Sequence, residues 1–182
     1  MDRKRLYLMI EIAIMAGLAT ALSFVKINAL WANGGSISFE MIPLFLVAFR
    51  HGWKVGVLTG LIAGFTGLLS GASIFHPIQF VLDYPVAFAL IGLAGVFVRK
   101  RQVPNLSVIV LGILLGTLLR FMAHFTSGVV YFAEFTPDGW NDYIYSAAYN
   151  ASYLVPQMII TLIPLLIISK NYPQFFKVKP TL

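Results

Sequence analysis

From Leu106 to Phe132 the chain carries a single Lys, Arg, Asp or Glu, namely Arg120, in a run otherwise built of apolar, small and neutral residues. A helix needs about 20 predominantly apolar residues to cross the hydrocarbon core of a bilayer. This run is long enough, and its near-absence of charge constrains the fold more than any motif does. Five further apolar segments accompany it: Tyr7–Val25, Ile37–Phe49, Trp53–Leu69, Ile78–Val98 and Tyr145–Ser169. The second is short and contains Pro43, which a span tolerates when other helices surround it. Charged residues make up only 11% of the 182 residues, against about a quarter in soluble domains. No stretch remains for a second, soluble domain. Residues 1–182 therefore read as one all-α integral membrane domain of six transmembrane helices.

The basic residues give the orientation. Of the 13 Lys and Arg, all but Lys26 and Arg120 fall at the N-terminus (Arg3, Lys4, Arg5), in the second connection (Arg50, Lys54), in the fourth (Arg99, Lys100, Arg101) or at the C-terminus (Lys170, Lys177, Lys179). The alternate connections hold Glu134, Asp138 and Asp142 instead. Lys and Arg accumulate in cytoplasmic loops. Only an even number of crossings produces this alternation, so both termini are expected in the cytoplasm. The net charge of +6 belongs to this topological pattern and not to a nucleic-acid-binding face. The N-terminus resembles a signal peptide, but Glu11 interrupts the core of one and the apolar run continues through Val25. A retained first helix is expected.

Much chemistry is missing from the sequence. There is no Gly-x-x-x-x-Gly-Lys-Ser/Thr loop and no Gly-x-Gly-x-x-Gly, so nothing cradles a nucleotide phosphate. There is no Gly-x-Ser-x-Gly elbow. The chain has no Cys, and its three histidines, His51, His76 and His124, have no metal-binding spacing. No cofactor is implied, and an enzyme is the reading the sequence favours least.

Polar residues inside the spans cluster in depth. Glu40, Asp83, His124, Tyr145 and Asn150 all fall in the outer half, where an ionisable group is costly unless it is paired or serves a ligand. In the fifth span Arg120, His124, Gly128 and Phe132 recur every fourth residue and share one helix face. Gly128 beside Phe132 makes a gap next to an aromatic plate that suits a flat ring; equally, Gly128 only packs a neighbour and His124 only bonds a carbonyl. Arg120 lies deeper and is expected to meet a helix end or to snorkel. Asp83 and Tyr84 stand at the mouth of the fourth span. Eight aromatics lie between Tyr131 and Tyr153, in a region with three carboxylates and no Lys or Arg. Aromatic faces with unpaired carboxylates favour a small, flat organic cation bound from outside. Small residues also form ladders, Ala13, Gly17 and Ala21 with Ala16 and Thr20 beside them, and Gly56, Gly60, Gly64, Gly67 and Gly71. Such ladders serve either packing within the chain or docking of another membrane subunit.

These residues, in this order, resemble a known family. A basic N-terminus precedes the alanine-rich helix Glu11 to Ala19. Then come Met41 to Leu44 with Arg50, His51 and Gly52; Leu82 to Tyr84; Arg120 to His124 with Gly128; and Tyr145, Ser146 and Asn150. The pattern looks like the thiamine-binding S-components of energy-coupling factor transporters, over nearly the whole chain. The resemblance implies a bacterial, multi-pass cell-membrane subunit that captures thiamine outside and pairs with a scaffold transmembrane subunit and two ATPase subunits. It implies docking through Ala13, Ala16 and Gly17. It implies a thiamine pocket in which Asp83, standing where Glu is expected, bonds the aminopyrimidine, with Tyr84, His124, Gly128, Tyr145 and Asn150 around it. Phe132 stands where Trp is expected. Glu40 or Ser38 faces the thiazolium, and Trp31 belongs to a lid. The rivals are the same architecture for another vitamin or a thiamine precursor, and a stand-alone secondary transporter of organic cations. The second would need an ion relay, and an inverted repeat often accompanies one; no repeat is evident.

Overall fold

The computed structural model describes residues 2–27, 34–98 and 103–177. Helix α1 (Arg3–Ser23) opens with the Asp2 side chain accepting from the Lys4 N–H, which satisfies a backbone donor that the first turn leaves orphaned. Two-residue strands, β1 (Lys26–Ile27) and β2 (Ile37–Ser38), pair antiparallel with Lys26 opposite Ser38. Then follow α2 (Met41–His51) and α3 (Trp53–Ser70), the last turn of α3 tightening to a 3-10 helix over Gly67–Ser70. The remaining spans are α4 (Pro77–Phe97), α5 (Leu106–Tyr131) and α6 (Asp142–Asn171). Asn105 and Asn141 cap α5 and α6. Five of the helices are long and apolar enough to cross a membrane.

Helix α2 is the exception expected from its sequence. Its 11 residues rise only about 16 Å at 1.5 Å per residue, about half of a hydrocarbon core of about 30 Å. It survives because it is shielded from lipid: Met41, Leu44, Phe45, Val47, Ala48 and Phe49 are all 0% exposed. The longer helices instead show stripes of large apolar side chains to the outside, such as Leu111, Leu114 and Leu118 on α5 and Ile159, Ile163 and Ile167 on α6. Continuous apolar stripes of that extent belong in contact with lipid. The molecule is an all-α, multi-pass membrane protein.

The two ladders of small residues have different fates. A Cβ on Gly56 would sit 2.8 Å from the Gly92 carbonyl oxygen, and one on Gly64 2.6 Å from that of Tyr84; one on Gly60 would overlap the Phe88 carbonyl. This ladder brings the α3 and α4 backbones together within the chain. On α1, Ala16 is 1% exposed, and Thr20 Oγ1 lies 2.6 Å from Thr66 Oγ1 on α3. Ala16 therefore faces into the bundle, which corrects its expected place in a docking surface. Ala13, Gly17 and Ala21 face outward, and a Cβ on Gly17 would meet nothing within 4 Å.

At the end that carries the basic residues, Glu11 of α1 holds Arg50 at 3.1 Å and His51 at 3.0 Å. Arg50 Nη2 also donates to the Lys177 carbonyl at 3.4 Å. The charge that interrupts the first apolar run thus has partners, and α1 is continuous through it.

Candidate functional site

The site begins with a proline. Pro85 has no N–H to give, and its ring crowds the carbonyl four residues back. Helix α4 responds by widening into a π-turn over Leu82–Val86, where the Ala87 N–H reaches the Leu82 carbonyl. Such turns recur at functional sites. This one carries Asp83 and Tyr84, which line a cavity of about 240 Å³. The cavity lies at the N-terminal end of α2, where Glu40 lines it and no residue of Met41–His51 does. Its walls come from Glu40, the end of α3 (Gly67, Ser70, Gly71), the start of α4, the C-terminal half of α5 and the start of α6.

A polar chain runs across the cavity. Arg120 Nη2 donates to Glu40 Oε1 at 2.9 Å, and Arg120 Nε donates to His124 Nε2 at 3.3 Å. A guanidinium only donates, so His124 Nε2 accepts and the ring proton of this tautomer sits on Nδ1. That nitrogen lies 3.0 Å from Asp83 Oδ1. Asp83 Oδ2 accepts from Gln79 Nε2 at 2.7 Å and from Ser127 Oγ at 2.8 Å. At the other end Gln157 Nε2 donates to Glu40 Oε1 and to Ser38 Oγ, both at 3.2 Å. Helix α2 begins directly after Glu40, so the positive end of its dipole lies beside this carboxylate.

Around this chain stand aromatic walls. Phe88 lies 4.4 Å beneath the Arg120 guanidinium. Phe132 meets Phe75 edge-on at 5.2 Å. Tyr145 and Tyr149 are 5.9 Å apart, and Tyr149 Oη donates to the Gly34 carbonyl at 2.7 Å.

All eight substrate-site candidates read from the sequence, Glu40, Asp83, Tyr84, His124, Gly128, Phe132, Tyr145 and Asn150, line this one cavity. Trp31 lies outside the described residues. Of Ser38 and Glu40, it is Glu40 that lines the cavity, while Ser38 is buried against Gln157. Gly128 serves both readings given above: it lines the cavity, and a Cβ there would overlap Ser146 Oγ on α6.

Two expectations need correction. Arg120 does not snorkel; it is 5% exposed and meets a helix end by pairing with Glu40, the residue at the head of α2. A buried guanidinium and a buried carboxylate each need the other to offset desolvation. Asp83 also has a partner, His124 Nδ1 at 3.0 Å. The carboxylates Glu134, Asp138 and Asp142 are not among the lining residues, whereas Lys26 is, its Nζ donating to the Ser70 carbonyl at 2.6 Å. The sequence reading passed over Gln79, Phe88 and Ser127, and it noted Ser146, Tyr149 and Tyr153 without placing them in the site. Gln79 carried a signal, since it precedes Asp83 by one helical turn. The others are neutral or aromatic residues that look like ordinary packing. Among the described residues no three His, Cys, Asp or Glu are grouped as metal ligands.

A helical membrane bundle with a polar and aromatic cavity at the end of α2 opposite Arg50 and His51 has the build of a transport protein for a small organic solute. The chain matches the family described as thiamine transporter protein (Thia_YuaJ) over residues 9–177. It is 43% identical over 185 residues to the thiamine transporter ThiT of Bacillus subtilis (strain 168), covering 96% of each chain. It is 28% identical to the thiamine transporter ThiT of Lacticaseibacillus paracasei, covering 98% of this chain and 94% of that one. Its fold is similar to a solved structure of ThiT from Listeria monocytogenes, with a TM-score of 0.84 and 30% identity, covering 96% of this chain and 99% of that one. The chain therefore belongs to the thiamine transporter protein family, whose members are bacterial membrane transporters and not enzymes.

Proposed function

We propose that this chain is the thiamine-binding subunit of an energy-coupling factor importer, and that the cavity above α2 is its thiamine site. The observation that carries the reading is the hydrogen-bonded chain Asp83–His124–Arg120–Glu40 set among aromatic rings. Thiamine joins an aminopyrimidine, which donates and accepts hydrogen bonds, to a flat cationic thiazolium. Asp83 and Asn150 supply polar edges for the first ring, with His124 orienting Asp83. Glu40 Oε2, which has no partner among the described residues, and the faces of Phe132 and Tyr145 suit the second. Among the described residues the lining charges balance: Lys26 and Arg120 against Glu40 and Asp83. Recognition then rests on short-range contacts and not on a long-range negative field.

The energy source in this reading is a partner. The sequence has no phosphate loop, and α1 presents Ala13, Gly17 and Ala21 outward on one face, where close approach of a scaffold helix is sterically cheap. The test separates binding from transport. Ala13→Trp and Gly17→Trp should bind thiamine in detergent like the parent. In vesicles that hold the scaffold subunit and both ATPases they should lose most ATP-driven uptake. Normal uptake by both variants rejects this docking face, and uptake by the isolated chain without any ATPase overturns the subunit reading.

A further inference from the structure

We propose that Gln79 is a positioning residue for ligand binding that acts through Asp83, an inference that rests on the cavity being the thiamine site. Gln79 is 1% exposed, and both ends of its amide are committed. Oε1 accepts from the Phe75 N–H at 3.0 Å, while Nε2 donates to the Ser73 carbonyl at 3.0 Å and to Asp83 Oδ2 at 2.7 Å. A backbone N–H only donates and a carbonyl only accepts, so these two contacts set which end of the amide is which. The amide cannot flip, and Asp83 always meets an N–H donor.

The consequence falls on the carboxylate. Ser127 Oγ donates to the same Oδ2 at 2.8 Å, and His124 Nδ1 lies on Oδ1 at 3.0 Å. Donors from α4 and α5 hold Asp83 from both sides and stop it from rotating. The acceptor capacity left over is on Oδ1. A carboxylate one methylene shorter than glutamate reaches less far, so its orientation matters more. Gln79 also ties this carboxylate to the α3–α4 connection, where the Ser73 N–H donates to Tyr84 Oη at 2.9 Å. Two lining side chains are thus set by one buried amide.

The experiment is calorimetric titration of the purified full chain with thiamine, in the parent, Gln79→Met, Asp83→Ala and the double variant. No thiamine binding by the parent would sink the site reading itself. With the parent binding, each single change should weaken thiamine about tenfold, as expected for loss of a charge-assisted hydrogen bond. The double variant should be no weaker than Asp83→Ala alone within about twofold, because residues in one network are not additive. Additive losses would mean that Gln79 supports the fold independently of Asp83, and would overturn the proposal. Gln79→Glu supplies the second arm. It keeps the side-chain length and the acceptor for Phe75, lacks the amide donor, and should bind at least as weakly as Gln79→Met. Parent-like affinity in Gln79→Glu also overturns it. Ligand-free melting temperatures, expected to fall for Gln79→Glu because its carboxyl faces Asp83 and the Ser73 carbonyl, identify a variant that is merely unfolded.

Discussion

Arg120 Nη2 and Glu40 Oε1 are 2.9 Å apart, on side chains that are 6% and 8% exposed and 80 residues apart in the chain. Removing one member of a buried pair strands the other charge, at a cost of about 3–5 kcal/mol. Glu40→Ala and Arg120→Ala should therefore each lower the ligand-free melting temperature in detergent markedly. The double variant should lose less than the two single losses combined. Full additivity in the melting temperatures would show that the two side chains do not stabilise one another.

Asp83→Asn keeps the shape of the side chain and removes its charge. Thiamine binding should weaken by about 1.5–3 kcal/mol, roughly tenfold or more in Kd. His124→Ala should also weaken binding, since it breaks the link from Arg120 to Asp83. Asn150→Ala should reduce both affinity and stability, because Asn150 accepts from Tyr153 Oη at 2.6 Å and donates to the Ser146 carbonyl at 2.9 Å. Titration followed by tryptophan fluorescence checks all three. Parent-like binding in every variant would place the site elsewhere.

Balanced charge around the cavity has a signature in salt. Long-range steering is screened beyond about 10 Å at 0.1 M ionic strength, whereas contacts inside a cavity are not. Raising NaCl tenfold from low salt should change the thiamine Kd by less than about twofold, and a steep rise would restore the picture of an acidic cation trap.

Lys26 offers a test of selectivity in the same frame. Its Nζ is held by a neutral carbonyl on Ser70, so its charge is not cancelled locally. Parent and Lys26→Ala should bind thiamine alike, while thiamine monophosphate should bind the variant more weakly than it binds the parent. An unchanged ratio of the two Kd values in Lys26→Ala would remove Lys26 from ligand recognition.

The two glycine environments differ enough to test by stability alone. Gly60→Ala drives a methyl group into the Phe88 backbone and should destabilise by about 1–3 kcal/mol, the usual cost of overpacking. Gly17→Ala meets open space and should leave the melting temperature within a degree or two (~0.5 kcal/mol). Equal melting temperatures for both variants would contradict the close α3–α4 approach.

Topology was legible because it is written in one dimension: a scarcity of charge along each span and an alternation of Lys and Arg between them. Asp83, His124 and Asn150 were legible because a polar group within a span demands a reason. The partner of Arg120 was not, since nothing local points from α5 to a carboxylate at the head of α2. Nor was the inward turn of Ala16. Helix α1 is apolar almost all round, and the face that meets α3 is settled by Thr20 against Thr66. The π-turn sat between these cases: Pro85 announces a broken helix, but not that the break turns Asp83 and Tyr84 toward a common space.

Helix α2 stops halfway, and the space beneath Glu40 is filled by Phe45, Phe49 and Phe176, with Phe45 and Phe49 stacked at 6.1 Å and Phe176 2% exposed. Among the described residues, none of α2 (Met41–His51) lines the cavity, so the described part of the bundle is a cup with an aromatic floor. A solute held there meets that floor, and its passage calls for the floor to move.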